Sequence, residues 1–239
     1  MASKAGTAAG FTLPARVKAV VIDLDGTLLD TIGDLAGAAN SMRLELGLAP
    51  LDPDVIKTFV GKGIANLVSR TLTYGRGNLD QAALNAAVAV FERHYALCLT
   101  ATSRPYPGAE KGLQALRAKG LRLGCITNKA ARFTRPLLES AGLAGYFEIV
   151  LSGDSLPRKK PDPLPLLHAA RFFNVEPREL LLIGDSVNDV QAARAAGCPV
   201  FVVPYGYNEG QDIRALDYDV LIAGLDEAAK FVENAVTAT

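Results

Sequence analysis

The 239-residue chain has no excess of charge of either sign, because its 25 Lys and Arg residues equal its 25 Asp and Glu residues. A balanced chain has no broad electric field to hold nucleic acid or an anionic membrane, so we expect neither as a partner. Long apolar runs are also absent. None reaches the roughly 20 residues that a membrane helix needs, and residues 1–10 lack the apolar segment of a secretory signal. A small molecule is the expected partner.

Cysteine is scarce, with Cys98, Cys125 and Cys198 far apart along the chain. An odd number of widely separated cysteines favours reduced thiols over a disulfide framework or a zinc site. Reduced thiols are typical of the cytosol, so we expect a cytoplasmic protein.

Six short apolar runs are distributed along the chain, and amphipathic helical patterns separate most of them. This alternation predicts an α/β fold with a Rossmann-like parallel sheet between layers of helices. The carboxyl ends of parallel strands lie along one edge, where such folds build their sites. The predicted strands are 17–22, 121–126, 147–151, 180–183, 199–203 and 219–223.

Residues 32–104 interrupt the alternation, because they form successive Ala- and Leu-rich helical patterns with no convincing strand between them. We predict an inserted α-helical cap domain at 32–104, joined to the rest by two short connectors that can act as hinges. The α/β catalytic core then comprises 17–31 and 105–239, preceded by a disordered tail at 1–16.

Carboxylates stand at the ends of two predicted strands. Asp23 and Asp25 directly follow the first strand, where Gly26 allows the chain to bend so that both reach one site. Asp185 follows a later strand. Three carboxylates without His or Cys are the ligand set that Mg²⁺ prefers and Zn²⁺ does not, so we predict a magnesium site.

Phosphoryl transfer explains why other polar residues stand at neighbouring strand ends. Lys160 and Thr127 provide the positive charge and the hydrogen-bond donor that transferring oxygens require. Asn128 is either a further phosphate contact or a turn former. Asp23 can act as an in-line nucleophile that forms an aspartyl-phosphate, and Asp25 as the general acid and base.

These clusters resemble the motifs of the haloacid dehalogenase superfamily. Its phosphatases carry Asp-x-Asp-Gly-Thr, a Ser or Thr, a Lys, and Gly-Asp-x-x-x-Asp in this order, and the inserted helices are similar to the superfamily's C1 cap. In this chain the motifs are Asp23 to Thr27, Thr127, Lys160, and Gly184 to Asp189.

The resemblance implies a role for each motif residue. Asp23 would be the nucleophile, Asp25 the acid and base, and Thr127 and Lys160 the phosphate binders. Asp23 and Asp185 would bind Mg²⁺ through their side chains. Asp25 would reach the metal through its backbone carbonyl, which leaves its carboxylate free for proton transfer, and Asp189 would orient the metal site.

A narrower resemblance is to the group of bacterial phosphoglycolate phosphatases. It implies hydrolysis of 2-phosphoglycolate to glycolate and phosphate. The leaving group carries a carboxylate, and a cationic cap residue, Lys62 or Arg70, is then its expected partner. Lys62 stands in a glycine-flanked turn that equally suits a plain helix start. The segments concerned are 23–31, 60–63, 153–157, 160–163 and 205–208.

Other functions remain open at this stage. A sugar phosphomutase of the β-phosphoglucomutase type would share all four clusters. A phosphonoacetaldehyde hydrolase would need a Schiff-base lysine, for which Lys62 is the attractive residue. A dehalogenase needs neither the second aspartate nor a metal, and a non-catalytic binding module would not need the whole set. The chain could be a monomer or a homodimer.

Overall fold

The computed structural model describes residues 12–75, 77 and 79–234. In chain order its elements are β1 (Ala19–Ile22), β2 (Leu29–Asp30), α1 (Ile32–Glu45), α2 (Pro53–Lys57), α3 (Ile64–Thr73), α4 (Gln81–Cys98), β3 (Arg104–Pro105), α5 (Ala109–Ala118), β4 (Arg122–Ile126), α6 (Ala131–Ser140), β5 (Ile149–Leu151), α7 (Leu164–Phe173), β6 (Leu180–Gly184), α8 (Val187–Ala196), β7 (Val200–Val202) and β8 (Val220–Leu221).

Six of the strands form one sheet in the order β5-β4-β1-β6-β7-β8, and every neighbouring pair is parallel. The predicted α/β class with a parallel sheet is therefore confirmed. Each predicted apolar run coincides with one of these strands, although β6 extends one residue beyond 180–183 and the last run, 219–223, contributes only the two residues of β8. β1 lies between β4 and β6, so its carboxyl end is next to both of theirs.

Alternation along the strands divides the core into two layers. Val20 and Ile22 of β1 pack in one hydrophobic cluster and Ala19 and Val21 in the other, because successive strand side chains point to opposite faces. Helices α5 and α6 contribute to the first cluster, and α7 and α8 to the second. The sheet is covered on both faces, as its almost continuous apolar strands require.

The inserted segment contains the four helices α1 to α4, which enclose a third hydrophobic cluster. Its two connectors pair with each other, since β2 and β3 form a short antiparallel ladder. Asp34 of α1 reinforces this ladder by accepting four hydrogen bonds from the backbone and hydroxyl groups of Thr102 and Ser103, at 2.6 to 3.0 Å. This ladder was not predicted from the sequence. The domain limits at 32 and 104 stay predictions.

Part of the predicted disordered tail, 1–11, lies outside the described residues. Within 12–16, Ala15 is fully buried and forms a parallel bridge with Val232. The Ala15 amide donates to the carbonyl oxygen of Phe231 at 2.7 Å, so the described core begins before residue 17. None of the described helices has the length and apolar character that crossing a membrane would require.

Candidate active site

The ends of three neighbouring strands bring the predicted site residues together. Asp23 follows β1, Thr127 follows β4 and Asp185 follows β6, while Lys160 lies in the loop between β5 and α7. Asp23, Thr127 and Lys160 line a pocket between the sheet edge and the inserted helices, with a cavity of about 40 Å³. Other side chains that line it are Asp25, Leu35, Val60, Ile64, Leu67, Asn128, Lys129, Ser186 and Asn188.

Lys160 joins two buried carboxylates at the base of the pocket. Its Nζ lies 2.9 Å from Asp23 Oδ1 and 2.6 Å from Asp189 Oδ1, and it donates to the carbonyl oxygen of Ile126 at 2.8 Å. Burial raises the pKa of Asp23 to about 7, against the opposing effect of Lys160. Burial alone would lower the pKa of Lys160, but Asp189 and Asp23 raise it above its ordinary value.

Asp185 is held rigidly beside this pair. Its Oδ1 accepts from the Thr27 hydroxyl at 2.9 Å, and its Oδ2 accepts from the Tyr207 amide. Burial, followed by the neighbouring Asp23 and Asp189, raises the pKa of Asp185 well above its usual range. Gly26 has a φ of +87°, and a Cβ there would lie 2.3 Å from Asp185 Oδ2. After β1, therefore, the backbone can turn beside the Asp185 carboxylate only with glycine at position 26.

One cluster in the described chain can hold a metal ion, and it consists of Asp23, Asp185 and Asp189, whose ligand atoms lie within 4.8 Å of one another. Its all-oxygen donors fit Mg²⁺. Lys160 supplies one positive charge in contact with two of the three carboxylates, Asp23 and Asp189, which leaves a negative excess that a divalent cation would neutralise.

The carboxylate of Asp25 is absent from the cluster. The resemblance implies this arrangement, because it leaves the Asp25 side chain free for proton transfer, and the metal ligands themselves stay a prediction. Asp189 takes part instead, although its Oδ2 also accepts from the Ser186 hydroxyl at 2.6 Å and caps α8. This capping fixes the Asp189 carboxylate in place, because both of its oxygens have protein partners.

The Asp25 carboxylate instead binds Lys129, which was not among the predicted site residues. Lys129 Nζ lies 2.9 and 3.0 Å from the two Asp25 oxygens, and the Thr31 hydroxyl donates to Asp25 Oδ1 at 2.6 Å. Lys129 is 6% exposed, and its Nζ lies 5.0 Å from the ring centroid of Tyr95 in α4. Burial alone would lower the pKa of Lys129, but Asp25 raises it above its ordinary value.

The amide residues at the pocket have distinct roles. Asn128 donates through Nδ2 to the carbonyl oxygens of Gly61 at 2.9 Å and Lys160 at 2.8 Å, so it links the inserted segment to the Lys160 loop. Its Oδ1 and the Nδ2 of Asn188 are buried without a protein partner. Buried polar atoms normally have partners, and these two line the same pocket, so a bound ligand can satisfy them.

The predicted cap cations lie elsewhere. Lys62 Nζ is 2.6 Å from Glu209 Oε1, and Arg70 Nη1 is 3.2 Å from Glu209 Oε2. Neither cation is among the residues that line the pocket. Lys159 Nζ also donates to the backbone oxygen of Lys62 at 2.9 Å, which fixes the turn that Lys62 occupies. Their predicted role as carboxylate binders stays a prediction.

Signals for the missed residues were present in part. Lys129 directly follows Thr127 and Asn128, and Asn188 lies inside the motif that ends at Asp189. A sequence cannot show, however, that these two side chains are buried. Glu209 had no motif to mark it.

The chain belongs to the haloacid dehalogenase-like hydrolase family, whose family model matches residues 17–197. That range contains every strand end that contributes to the pocket, including those before Asp23, Thr127 and Asp185. The inferred superfamily is thereby confirmed.

Relatives with high identity share one description. A phosphoglycolate phosphatase of Nitrosospira multiformis is 56% identical, with 92% of this chain and 97% of the relative covered. One of Thiobacillus denitrificans is 54% identical, with 94% and 99% covered. Among solved structures, a predicted phosphoglycolate phosphatase of Haemophilus somnus superposes with a TM-score of 0.84 at 31% identity, with 90% and 98% covered.

Proposed function

We propose that this chain is a magnesium-dependent phosphomonoester hydrolase that converts 2-phosphoglycolate to glycolate and phosphate. The observation that carries the proposal is the buried Asp23 beside Lys160 at the base of a pocket closed by the inserted helices. The relatives above support the choice of substrate, because they cover nearly the whole chain, inserted segment included.

Asp23 is the proposed nucleophile. Its carboxylate attacks phosphorus in line with the ester oxygen, a phosphorus–oxygen bond forms at Asp23, and the bond to the glycolate oxygen breaks. Asp25, in its protonated form, transfers a proton to the departing oxygen. Asp25 then takes a proton from the water that attacks phosphorus, which releases phosphate and restores the Asp23 carboxylate.

Mg²⁺ fits the carboxylate cluster on its oxygen donors and its negative excess. Asp23 and Asp185 would hold it, together with the backbone carbonyl of Asp25, and Asp189 would orient the cluster through Lys160. When bound, the ion would neutralise charge on the phosphoryl oxygens.

The remaining phosphate contacts come from strand ends and from α8. Thr127 and Lys160 are proposed to bind phosphoryl oxygens, as their positions in the pocket allow. We add Asn188 to this set, since its Nδ2 is a buried donor without a protein partner. Asn128 is proposed to position the Lys160 loop against the inserted segment, because its Nδ2 donates to the backbone oxygens of Gly61 and Lys160.

Neither alternative enzyme has a specific observation in its favour. A β-phosphoglucomutase relationship has only the fold behind it, since the Thermotoga maritima protein of that description is 22% identical. A phosphonoacetaldehyde hydrolase would need Lys62 in the pocket, but Lys62 is paired with Glu209 outside it.

A substrate panel tests the proposal. We expect the highest kcat/KM for 2-phosphoglycolate among sugar phosphates, nucleoside monophosphates and pyrophosphate, and activity only with Mg²⁺ and not with EDTA. Asp23→Asn should remove turnover, which shows that a contaminating phosphatase is not responsible. A higher kcat/KM for another ester would refute the substrate, and turnover in EDTA would refute the mechanism. Cytoplasmic location and the state as monomer or homodimer stay predictions.

A further inference from the structure

The pocket has a second cationic position that the phosphoryl-transfer chemistry does not use. Of the described residues that line it, only Lys129 and Lys160 carry a positive charge. Lys160 is bound to Asp23 and Asp189, where the phosphoryl group is expected. Lys129 lies instead at Asp25, the proposed proton donor to the leaving group.

The two lysines differ in how many carboxylates they contact. Lys160 lies within 2.9 Å of two carboxylates, whereas the one carboxylate recorded in contact with Lys129 is that of Asp25. Both ammonium groups are almost fully buried, and a buried ammonium is stabilised by anionic partners. An anionic group in the pocket would give Lys129 the second carboxylate that Lys160 already has.

The geometry places Lys129 within reach of the leaving group. A proton donor must lie within about 3 Å of the oxygen that it protonates, so that oxygen is expected about 3 Å from Asp25. Lys129 Nζ is 2.9 Å from Asp25 Oδ1 and therefore at most about 6 Å from the ester oxygen. The carboxylate carbon of 2-phosphoglycolate is two bonds from that oxygen, which bridges the remaining distance.

We propose that Lys129 binds the carboxylate of the leaving group and so makes the enzyme select phosphate esters of 2-hydroxycarboxylates. This assignment rests on the proposed function and specifies its substrate class. It gives to Lys129 the role that the sequence suggested for Lys62 or Arg70. Both of those side chains are paired with Glu209 outside the pocket.

The apolar wall of the pocket supports the same assignment. Leu35, Ile64 and Leu67 of the inserted helices line it together with Lys129. A charge-assisted hydrogen bond is stronger where apolar side chains exclude water. If the leaving group had no carboxylate, Asp25 would be the one anionic side chain of the described residues in contact with the Lys129 ammonium.

The test compares 2-phosphoglycolate with its isostere 2-phosphoglycolamide, in which a neutral carboxamide replaces the carboxylate. We expect the wild type to prefer the acid, as judged by kcat/KM. Lys129→Gln should reduce that preference about 10- to 100-fold, the usual effect of losing a hydrogen bond between charged groups. Lys62→Gln is the matched control and should leave the ratio as it is in the wild type.

A purely structural role for Lys129 predicts a different result. If Lys129 only positioned Asp25, the substitution would slow both esters equally and the ratio would not change, which overturns the assignment while the proposed function stands. A wild type without any preference for the acid overturns the assignment too. If 2-phosphoglycolate is a poor substrate among all esters tested, the proposed function itself fails.

A structure provides a second measurement that needs no Lys129 variant to fold. Asp23→Asn crystallised with 2-phosphoglycolate and Mg²⁺ should show the ligand carboxylate within about 3 Å of Lys129 Nζ. A carboxylate that lies at Lys62, or that contacts neither lysine, would overturn the proposal.

Discussion

Glu209 binds Lys62 across the boundary between the inserted segment and the sheet, with Lys62 Nζ 2.6 Å from Glu209 Oε1. The same carboxylate also contacts Arg70 at 3.2 Å. Lys62 and Arg70 belong to the inserted segment, and Glu209 lies in the loop after β7. Lys62 and Arg70 of the inserted segment therefore share the Glu209 carboxylate of the α/β segment, close to the pocket but outside it.

The first prediction concerns Glu209→Gln. Removing the charge should weaken closure of the inserted helices over the pocket, because it removes two ion pairs across the boundary. Partly exposed ion pairs contribute about 0.2–1 kcal/mol each, so the loss of two pairs should lower kcat/KM about two- to thirtyfold. Steady-state kinetics at low ionic strength measures the change, and added salt should reduce the difference from the wild type.

Glu227→Gln is the matched control. Glu227 pairs with Lys230 three residues away on the surface of the α/β segment, and that pair does not join the two segments. We expect its kinetics to equal those of the wild type. An equal decrease in both variants would show that the loss of a surface carboxylate, rather than weaker closure, explains the result.

The second prediction concerns metal binding, with calorimetric titration of Mg²⁺ as the measurement. Asp185→Asn should weaken the affinity at least about tenfold, because it removes a carboxylate from the proposed ligand set. Asp25→Asn should leave the affinity close to the wild-type value, since the Asp25 side chain is held by Thr31 and Lys129. Comparable losses in both variants would place the Asp25 carboxylate at the metal and contradict the geometry described above.

The positions of the strands could be predicted because they depend on local pattern. Apolar runs such as 180–183 are separated by segments with helical periodicity, and this alternation predicts that the strands pair in parallel. The strand ends after Ile22, Ile126 and Gly184 then necessarily lie along one edge, so the three motif clusters at these ends could be placed together. No contact between distant side chains had to be known.

Contacts between the two segments could not be predicted in this way. Lys129 and Glu209 become informative only once the inserted segment is placed over the sheet edge, because Tyr95 and Lys62 belong to that segment. The direction of the Asp25 carboxylate has the same origin. Sequence spacing brought its carboxylate to the strand end, but Lys129, an ammonium more than 100 residues away in sequence, determines its direction.

The third prediction concerns the close approach of the Gly206 backbone to the Asp185 carboxylate. A Cβ at Gly206 would lie 2.1 Å from Asp185 Oδ2, so Gly206→Ala must displace that carboxylate or its own backbone. We expect weaker Mg²⁺ binding and lower activity in a folded protein. Gly37→Ala in α1 is the control, because a Cβ there meets nothing within 4 Å, and alanine favours helix by about 1 kcal/mol. An unchanged Mg²⁺ affinity in Gly206→Ala would contradict this account.

The fourth prediction concerns Asp34 and pH. Although burial by itself raises its pKa, hydrogen bonds from Ser103 and Thr102 hold the pKa of Asp34 below its ordinary value. A carboxylate with a depressed folded pKa stabilises the protein above its unfolded pKa of about 3.9, and this stabilisation is lost as pH falls through the folded pKa. Asp34→Asn should therefore lower the free energy of unfolding at pH 7 by about 1.5–3 kcal/mol.

Chemical denaturation at several pH values measures this effect. The difference between wild type and Asp34→Asn should stay constant from pH 7 to about pH 5 and shrink below about pH 4, where the unfolded carboxyl group takes up its proton. Asp80→Asn is the matched control, because asparagine caps a helix as well as aspartate and Asp80 caps α4 through the Ala83 amide. A difference for Asp34→Asn that does not change down to pH 3 would show that the Asp34 charge does not stabilise the paired connectors.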